Sequence, residues 1–286
     1  MSIAGGLPRA VDRAAAAGCD ALQIFTKSTG QWRARPLPPD ETRAFRRRVR
    51  QAGLRAVLAH ASYLVNLASV QPAIRRRSIE SLDEELTRAE ALGLDGLVLH
   101  PGSFTSGTEE GGLSLAAEAL RTLLAGRPRR KTRILLENTA GQGTNLGHRF
   151  EQLATLIDRA GGSRRIAICL DSCHLLAAGY RIDTATGYRA TMRAFDAIVG
   201  LDRLAAWHLN DSKRAAGSRV DRHEQIGLGH VGRPGFRRIV SDPRFRRLPM
   251  ILETPKAGGR QAGGAAVADP LDLVNLSTLR ELARRT

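Results

Sequence analysis

Seven short runs of this chain are almost continuously apolar: DALQIF (20–25), RAVLAH (55–60), DGLVLH (95–100), RILLE (133–137), IAICLD (166–171), LAAWHL (204–209) and PMILE (249–253). Runs of this length without a polar face are expected of parallel strands buried on both sides. Between them the apolar positions recur at helical spacing and predict helices near 7–18, 40–52, 71–92, 113–125, 149–160, 186–199, 234–241 and 269–285. Strand and helix thus alternate along the chain, the order of an α/β fold with a parallel sheet. The predicted fold class is a TIM (β/α)8 barrel forming a single domain over 1–286. AGGRQAGGAAVA (257–268) reads as a flexible connection before the C-terminal helix 269–285.

Only seven strands can be counted, and the first helix begins directly after MSIAGG. A first strand is apparently missing. Either the barrel is seven-stranded or differently closed, or the chain as given starts late, at an internal Met; the pattern favours the second.

Six of the runs close on His60, His100, Glu137, Asp171, His208 and Glu253, at intervals of 40, 37, 34, 37 and 45 residues. Each interval fits one strand, one helix and two loops. In a parallel barrel the C-terminal ends of the strands share one rim, so these side chains are expected to converge there. Three imidazoles and three carboxylates suit a divalent metal such as zinc and exceed what one tetrahedral ion needs. The rhythm therefore predicts a multi-metal hydrolytic centre. Glu253, directly after MIL, would be costly to bury unless paired or metal-bound.

Further donors lie beside these. His174 follows Asp171 by three residues in CLDSCH, and Asp221 and His223 are two apart in SRVDRHEQIGLG, where an extended segment turns both to the same side. Taken singly, each has a plainer explanation: a lone His after a strand is more often structural, and Asp171 has the position of a helix cap. Their joint occurrence at barrel spacing favours metal. His148 and His230 are left as surface or supporting residues.

Composition adds a partner and a compartment. Lys plus Arg number 44 against 28 Asp plus Glu, a formal charge of +16 that attracts polyanions, with nucleic acid the leading candidate. Three cysteines without CxxC spacing argue against a disulfide framework and for a reducing cytoplasm. No run approaches the roughly 18 apolar residues that span a bilayer.

HASYLVNLA (60–68), CLDSCH (169–174) and HLNDSK (208–213) followed by SRVDRH (218–223) resemble the three signatures of the endonuclease IV family of apurinic/apyrimidinic endonucleases. ENTAGQGTNLG (137–147) and ILET (251–254) match two further blocks, and the resemblance runs from about Gly5 to Pro255. It implies three zinc ions: His60, His100 and Glu137 for the first; Glu137 as a bridge with Asp171, His208 and Glu253 for the second; His174, Asp221 and His223 for the third, with manganese accepted at one position. It implies hydrolysis of the phosphodiester 5′ to an abasic site, leaving a 3′-hydroxyl, with 3′-phosphodiesterase trimming of blocked 3′ ends, by a monomer. Glu137, Asp171 and Glu253 would serve the chemistry. Tyr63 and Leu64 would enter the minor groove of double-stranded DNA, and Arg33, Arg35, Arg219 and Arg222 would contact it.

The chain departs from the family at several points. Gly30, in TKSTGQWRARPL (26–37), stands where the family often has an inserting Arg, which removes part of the DNA wedge. Ser172 replaces a Thr, and Leu228 replaces a common Glu, a loss expected to loosen the loop beyond His223. Two rivals share many of these features: a metal-dependent sugar isomerase or epimerase on a related barrel, and a non-catalytic DNA-binding remnant. The set His174, Asp221 and His223, together with the basic chain, discriminates against the first.

Overall fold

Strands and helices alternate from the first residues onward in the computed structural model of the chain, which describes residues 1–127, 131–257 and 268–284. Helix α1 (Leu7–Ala16) is followed by β1 (Ala21–Phe25), α2 (Pro39–Gln51), β2 (Ala56–His60), α3 (Pro72–Leu92), β3 (Gly96–Leu99), α4 (Glu109–Ala125) and β4 (Arg133–Glu137). Then come α5 (Phe150–Arg159), β5 (Ile166–Asp171), α6 (Ser172–Ala178), α7 (Ala185–Ile198), β6 (Leu204–His208), the short β7 (Asp211–Ser212) and β8 (His223–Glu224), α8 (Gly232–Val240), β9 (Met250–Ile251) and α9 (Pro270–Arg284). Every strand foreseen from the apolar runs is present, within two residues at each end. Helix α4 begins four residues earlier than its apolar spacing suggests, because Thr108 caps it by accepting a hydrogen bond from the Gly111 N–H. Most of the segment expected to be a flexible connection, residues 258–267, lies outside the described residues.

Seven strands form one sheet with neighbours in the order β1-β2-β3-β4-β5-β6-β9, and β7 and β8 form a separate antiparallel pair. The described residues divide into two compact units, the first comprising 1–127, 131–136, 156–167 and 268, the second 137–155, 168–257 and 269–284. Strands β4 and β5 each contribute residues to both.

In unit 1 the parallel register aligns Phe25 with His60, His60 with Val98, and Leu99 with Leu136. Leu22, Ile24, Leu58, Leu97, Val98, Ile134 and Leu135 are fully buried, which explains runs without a polar face. Helix α3 ends at Gly93, whose φ of 75° is a left-handed conformation that a side chain would strain.

In unit 2 Asp171 aligns with His208, and His208 with Ile251. All six residues of β5 are buried. The short helix α6 has no helical apolar period of its own in CLDSCHLLAAGY; a cap creates it. Asp171 accepts from the His174 N–H, and Gly179 ends the helix at φ 106°. The plainer reading of Asp171 as a cap is therefore correct for one of its oxygens.

Candidate metal centre

In unit 2, β4, β5 and β6 end in Glu137, Asp171 and His208, all fully buried. His208 Nδ1 is 3.0 Å from Glu137 Oε1 and 3.1 Å from Glu253 Oε2. Helix α6 carries His174 back over the strand ends, with Nδ1 3.4 Å from Glu137 Oε1 and Nε2 3.1 Å from Asp221 Oδ2. His223 Nε2 lies 3.3 Å from Asp221 Oδ1 and 4.0 Å from Asp171 Oδ2. Asp221 thus stands between two imidazoles.

Among the described residues of this unit the donor atoms form three groups: Glu137, Asp171, His208 and Glu253; Asp171, His174 and His223; and Cys173, Asp221 and His223, each with one atom per residue within 4.8 Å of the others. A tetrahedral zinc shell at about 2.1 Å has donor–donor edges of about 3.4 Å. The separations above straddle that value, a spacing compatible with metal coordination. The charges agree. Burial works against a proton on His174, but Asp171, Asp221 and Glu137 outweigh it and hold its pKa well above the ordinary imidazole value. Burial likewise opposes a proton on His208, and the Cys169 thiol with the carboxylates of Glu253 and Glu137 reverses the effect. His223 is pushed up to about 9, again against burial, by Asp221 and Asp171. Burial would raise Asp221, yet His174 and His223 hold its carboxyl far below the usual carboxylate range. Three imidazoles that retain protons beside four carboxylates mark a field that favours cations, and the residues present fit divalent metal.

Supporting groups fix which nitrogen is offered. His174 Nδ1 faces the Asn138 carbonyl at 2.9 Å, and His223 Nδ1 faces the Glu253 carbonyl at 3.2 Å, which leaves Nε2 of each for a ligand. Asn210 donates from Nδ2 to Asp171 Oδ2 at 2.6 Å, while its Oδ1 accepts the Glu253 N–H at 2.8 Å. Asn138 Oδ1 accepts the Asp171 N–H at 2.7 Å. These two buried asparagines were not singled out in the sequence, although each stands at a strand exit, in LLEN and WHLN. Asp211 was also missed: its two oxygens accept N–H groups from Ser212, Gly227, Gly229 and Val231 at 2.8–3.0 Å. Those bonds fasten the loop beyond His223. The side chain of Leu228 in that loop is 76% exposed, so the missing Glu leaves these fastenings intact.

In unit 1, His60 ends β2 and His100 lies just beyond β3, their ring centroids 5.5 Å apart in an edge-to-face pair. His60 Nδ1 faces the Ala61 carbonyl at 2.8 Å, which again leaves Nε2 for a ligand. The ring of Tyr63 sits 5.5 Å from those of both Phe25 and His60 and is 66% exposed. Leu64 is half-buried, and Arg33 and Arg35 are exposed, Arg35 pairing with Glu41 at 3.3 Å. At Gly30 a Cβ would meet nothing within 4 Å. In unit 2, Arg219 and Arg222 are exposed; Arg219 has a left-handed φ of 52°, and Arg222 donates to the Asp221 carbonyl at 2.8 Å. His148 Nδ1 faces the Asn145 carbonyl at 3.1 Å, and His230 is exposed. Among the described residues no helix is long and apolar enough to cross a membrane.

Comparison with known proteins agrees with this geometry. A family profile described as a xylose isomerase-like TIM barrel matches residues 11–274. The probable endonuclease 4 of Citrifermentans bemidjiense is 44% identical over 282 residues, covering 99% of this chain and 96% of that protein. That of Chloroflexus aurantiacus is 45% identical over 284 residues, covering 99% and 96%. The crystal structure of endonuclease IV from Thermus thermophilus superposes with a TM-score of 0.84 at 40% identity, covering all of this chain and 98% of that one. A D-psicose 3-epimerase from Clostridium cellulolyticum reaches a TM-score of 0.70 at 16% identity, a likeness of fold alone. The chain has the TIM-barrel fold and belongs to the endonuclease IV family.

Proposed function

We propose that this protein is a deoxyribonuclease IV that cuts duplex DNA on the 5′ side of abasic sites, leaving a 3′-hydroxyl, and that it also trims blocked 3′ ends. The observation that carries the reading is the donor set of unit 2: Glu137, Asp171, His208 and Glu253 beside His174, Asp221 and His223. It is richer than one ion needs. His60 and His100 would be donors to a first zinc, Glu137, Asp171, His208 and Glu253 would hold a second, and His174, Asp221 and His223 a third, with manganese an alternative at one of them. When bound, such ions would supply Lewis-acid charge to a phosphodiester and lower the pKa of water.

The chain's own residues do the rest. Asn138 and Asn210 hold Asp171 by hydrogen bonds at its amide and at Oδ2, so its carboxylate is oriented for a cation before one binds. Nδ1 of His174 and of His223, turned to carbonyls, orient both rings. Tyr63, exposed yet braced by Phe25 and His60, is placed to enter a groove, with Leu64 beside it. Arg33, Arg35, Arg219 and Arg222 neutralise phosphates, in keeping with a net charge of +16. The protein acts as a monomer, and its substrate places its work with the chromosomal DNA of a bacterial cytoplasm.

The test is a duplex carrying one abasic site. Cleavage at that site, yielding a 3′ end that a DNA polymerase extends directly, supports the reading. An intact duplex together with turnover of a ketohexose would replace it with the epimerase reading.

A further inference from the structure

Among the buried ionic side chains of unit 1 that stand outside the ligand set, three meet at two loops. Lys27, Glu85 and Arg88 are 5%, 0% and 8% exposed. Lys27 Nζ donates to the Trp32 carbonyl at 2.7 Å and to Ser81 Oγ at 2.6 Å, and lies 3.6 Å from Glu85 Oε1. Both oxygens of Glu85 lie 3.2 Å from the Ser62 N–H, the donor directly before Tyr63. Arg88 donates from Nε and Nη2 to the Thr26 carbonyl at 2.9 and 2.7 Å, and from Nη1 to the Arg35 carbonyl at 2.9 Å. Ser62 Oγ donates to the Thr29 carbonyl at 2.6 Å and joins the two loops.

The pattern is selective. Glu85 and Arg88 come from α3, and with Lys27 they reach the start, middle and end of residues 26–35 and the start of residues 61–64. Burying charge is costly unless each group is paired, and an apolar seat would hold a loop with less penalty. Residues 32–34 line a groove of about 620 Å³ together with Arg77, Glu80 and Glu84. Directed hydrogen bonds from Lys27 and Arg88 fix where the loop backbone runs, while Arg33 and Arg35 stay exposed.

We propose that Lys27, Glu85 and Arg88 are positioning residues for duplex recognition: they set the two loops that carry Arg33, Arg35, Tyr63 and Leu64 before DNA arrives. This rests on the incision reading above. Arg88→Lys in the full chain tests it, because the charge is kept while an ammonium lacks the planar fork that spans Thr26 and Arg35. KM for an abasic duplex should rise about tenfold or more, since small misplacements of recognition groups are costly. kcat should stay within about twofold, the signature of lost binding rather than lost chemistry. Amide exchange in the DNA-free protein should accelerate at 26–35 and 61–64 alone. Lys27→Met, which frees the Trp32 carbonyl, should give the same split. Wild-type KM and exchange in both variants would overturn the proposal; so would exchange rising throughout the chain with kcat falling, which is simple loss of structure. The exchange experiment needs no DNA. A wild-type chain that leaves abasic duplex uncut would therefore defeat the incision reading separately.

Discussion

Both units end strands in metal-binding side chains, but they place their buried charge differently. In unit 1 the strand-end donors are two imidazoles among aromatic rings, His60 beside Phe25, Tyr63 and His100, and the buried ions Lys27, Glu85 and Arg88 hold loops. In unit 2 much of the buried charge lies in the donor cluster itself. Two amides, Asn138 and Asn210, bond its Asp171, and Asn210 also holds the Glu253 N–H. An amide orients a carboxylate without neutralising it, so the charge remains available to a cation. The two regions thus divide the work: one is shaped to hold recognition loops still, the other to keep negative charge concentrated.

That contrast can be broken most severely at a donor. His174→Ala or Glu253→Ala should reduce incision by about 10³-fold or more, as expected when several kcal/mol of metal-derived stabilisation is lost. The circular dichroism spectrum should stay close to wild type; undiminished incision in either variant would contradict the ligand assignment. Removing a brace should cost less. Asn210→Ala leaves Asp171 Oδ2 and the Glu253 N–H without their amide, and should weaken metal affinity or activity by about 10–100-fold. Excess zinc should restore part of that loss, as a titration would show. Tyr63→Ala, in unit 1, should raise KM for abasic duplex by about tenfold, the scale of one lost aromatic contact with DNA, and leave metal content unchanged.

pH separates the metal-free from the loaded protein. His223 is lifted to about 9 from 6.5, so its paired imidazolium contributes stability that is whole below 6.5 and is lost as pH rises through about 9. Metal needs the opposite state, because the proton must leave before the nitrogen can bind. Between pH 6.5 and 9 the melting temperature of the metal-free chain should fall while apparent zinc affinity rises; parallel changes in the two would contradict the cluster. The smallest effect is expected at Gly30→Arg. The position is exposed and open, so the substitution should fold normally and tighten duplex binding by a few-fold at low salt, as one added phosphate contact does.

Much of this was legible in the sequence because burial and chemistry coincide at strand ends. LVLH, RILLE and ICLD announce a buried strand and its donor in the same few residues, and a parallel fold turns such positions toward one rim. Helix α6 was not legible: it is seven residues long and owes its start to the cap at Asp171. The amide braces were hidden for a different reason. Asn138 and Asn210 sit one residue past Glu137 and two past His208, where asparagine is ordinary loop composition, and only the folded chain shows both buried and bonded to Asp171. Asp211 was equally silent, since a carboxylate that gathers backbone N–H groups leaves no spacing pattern along the chain.

The central claim is that the strand-end acids and imidazoles are ligands and not a network of internal ion pairs. Elemental analysis of the purified wild-type chain and of His174→Ala, made and washed identically, tests it most directly. The account predicts three zinc equivalents in the wild type and two in the variant. A wild-type chain without tightly held metal, or equal metal in both proteins, would contradict it.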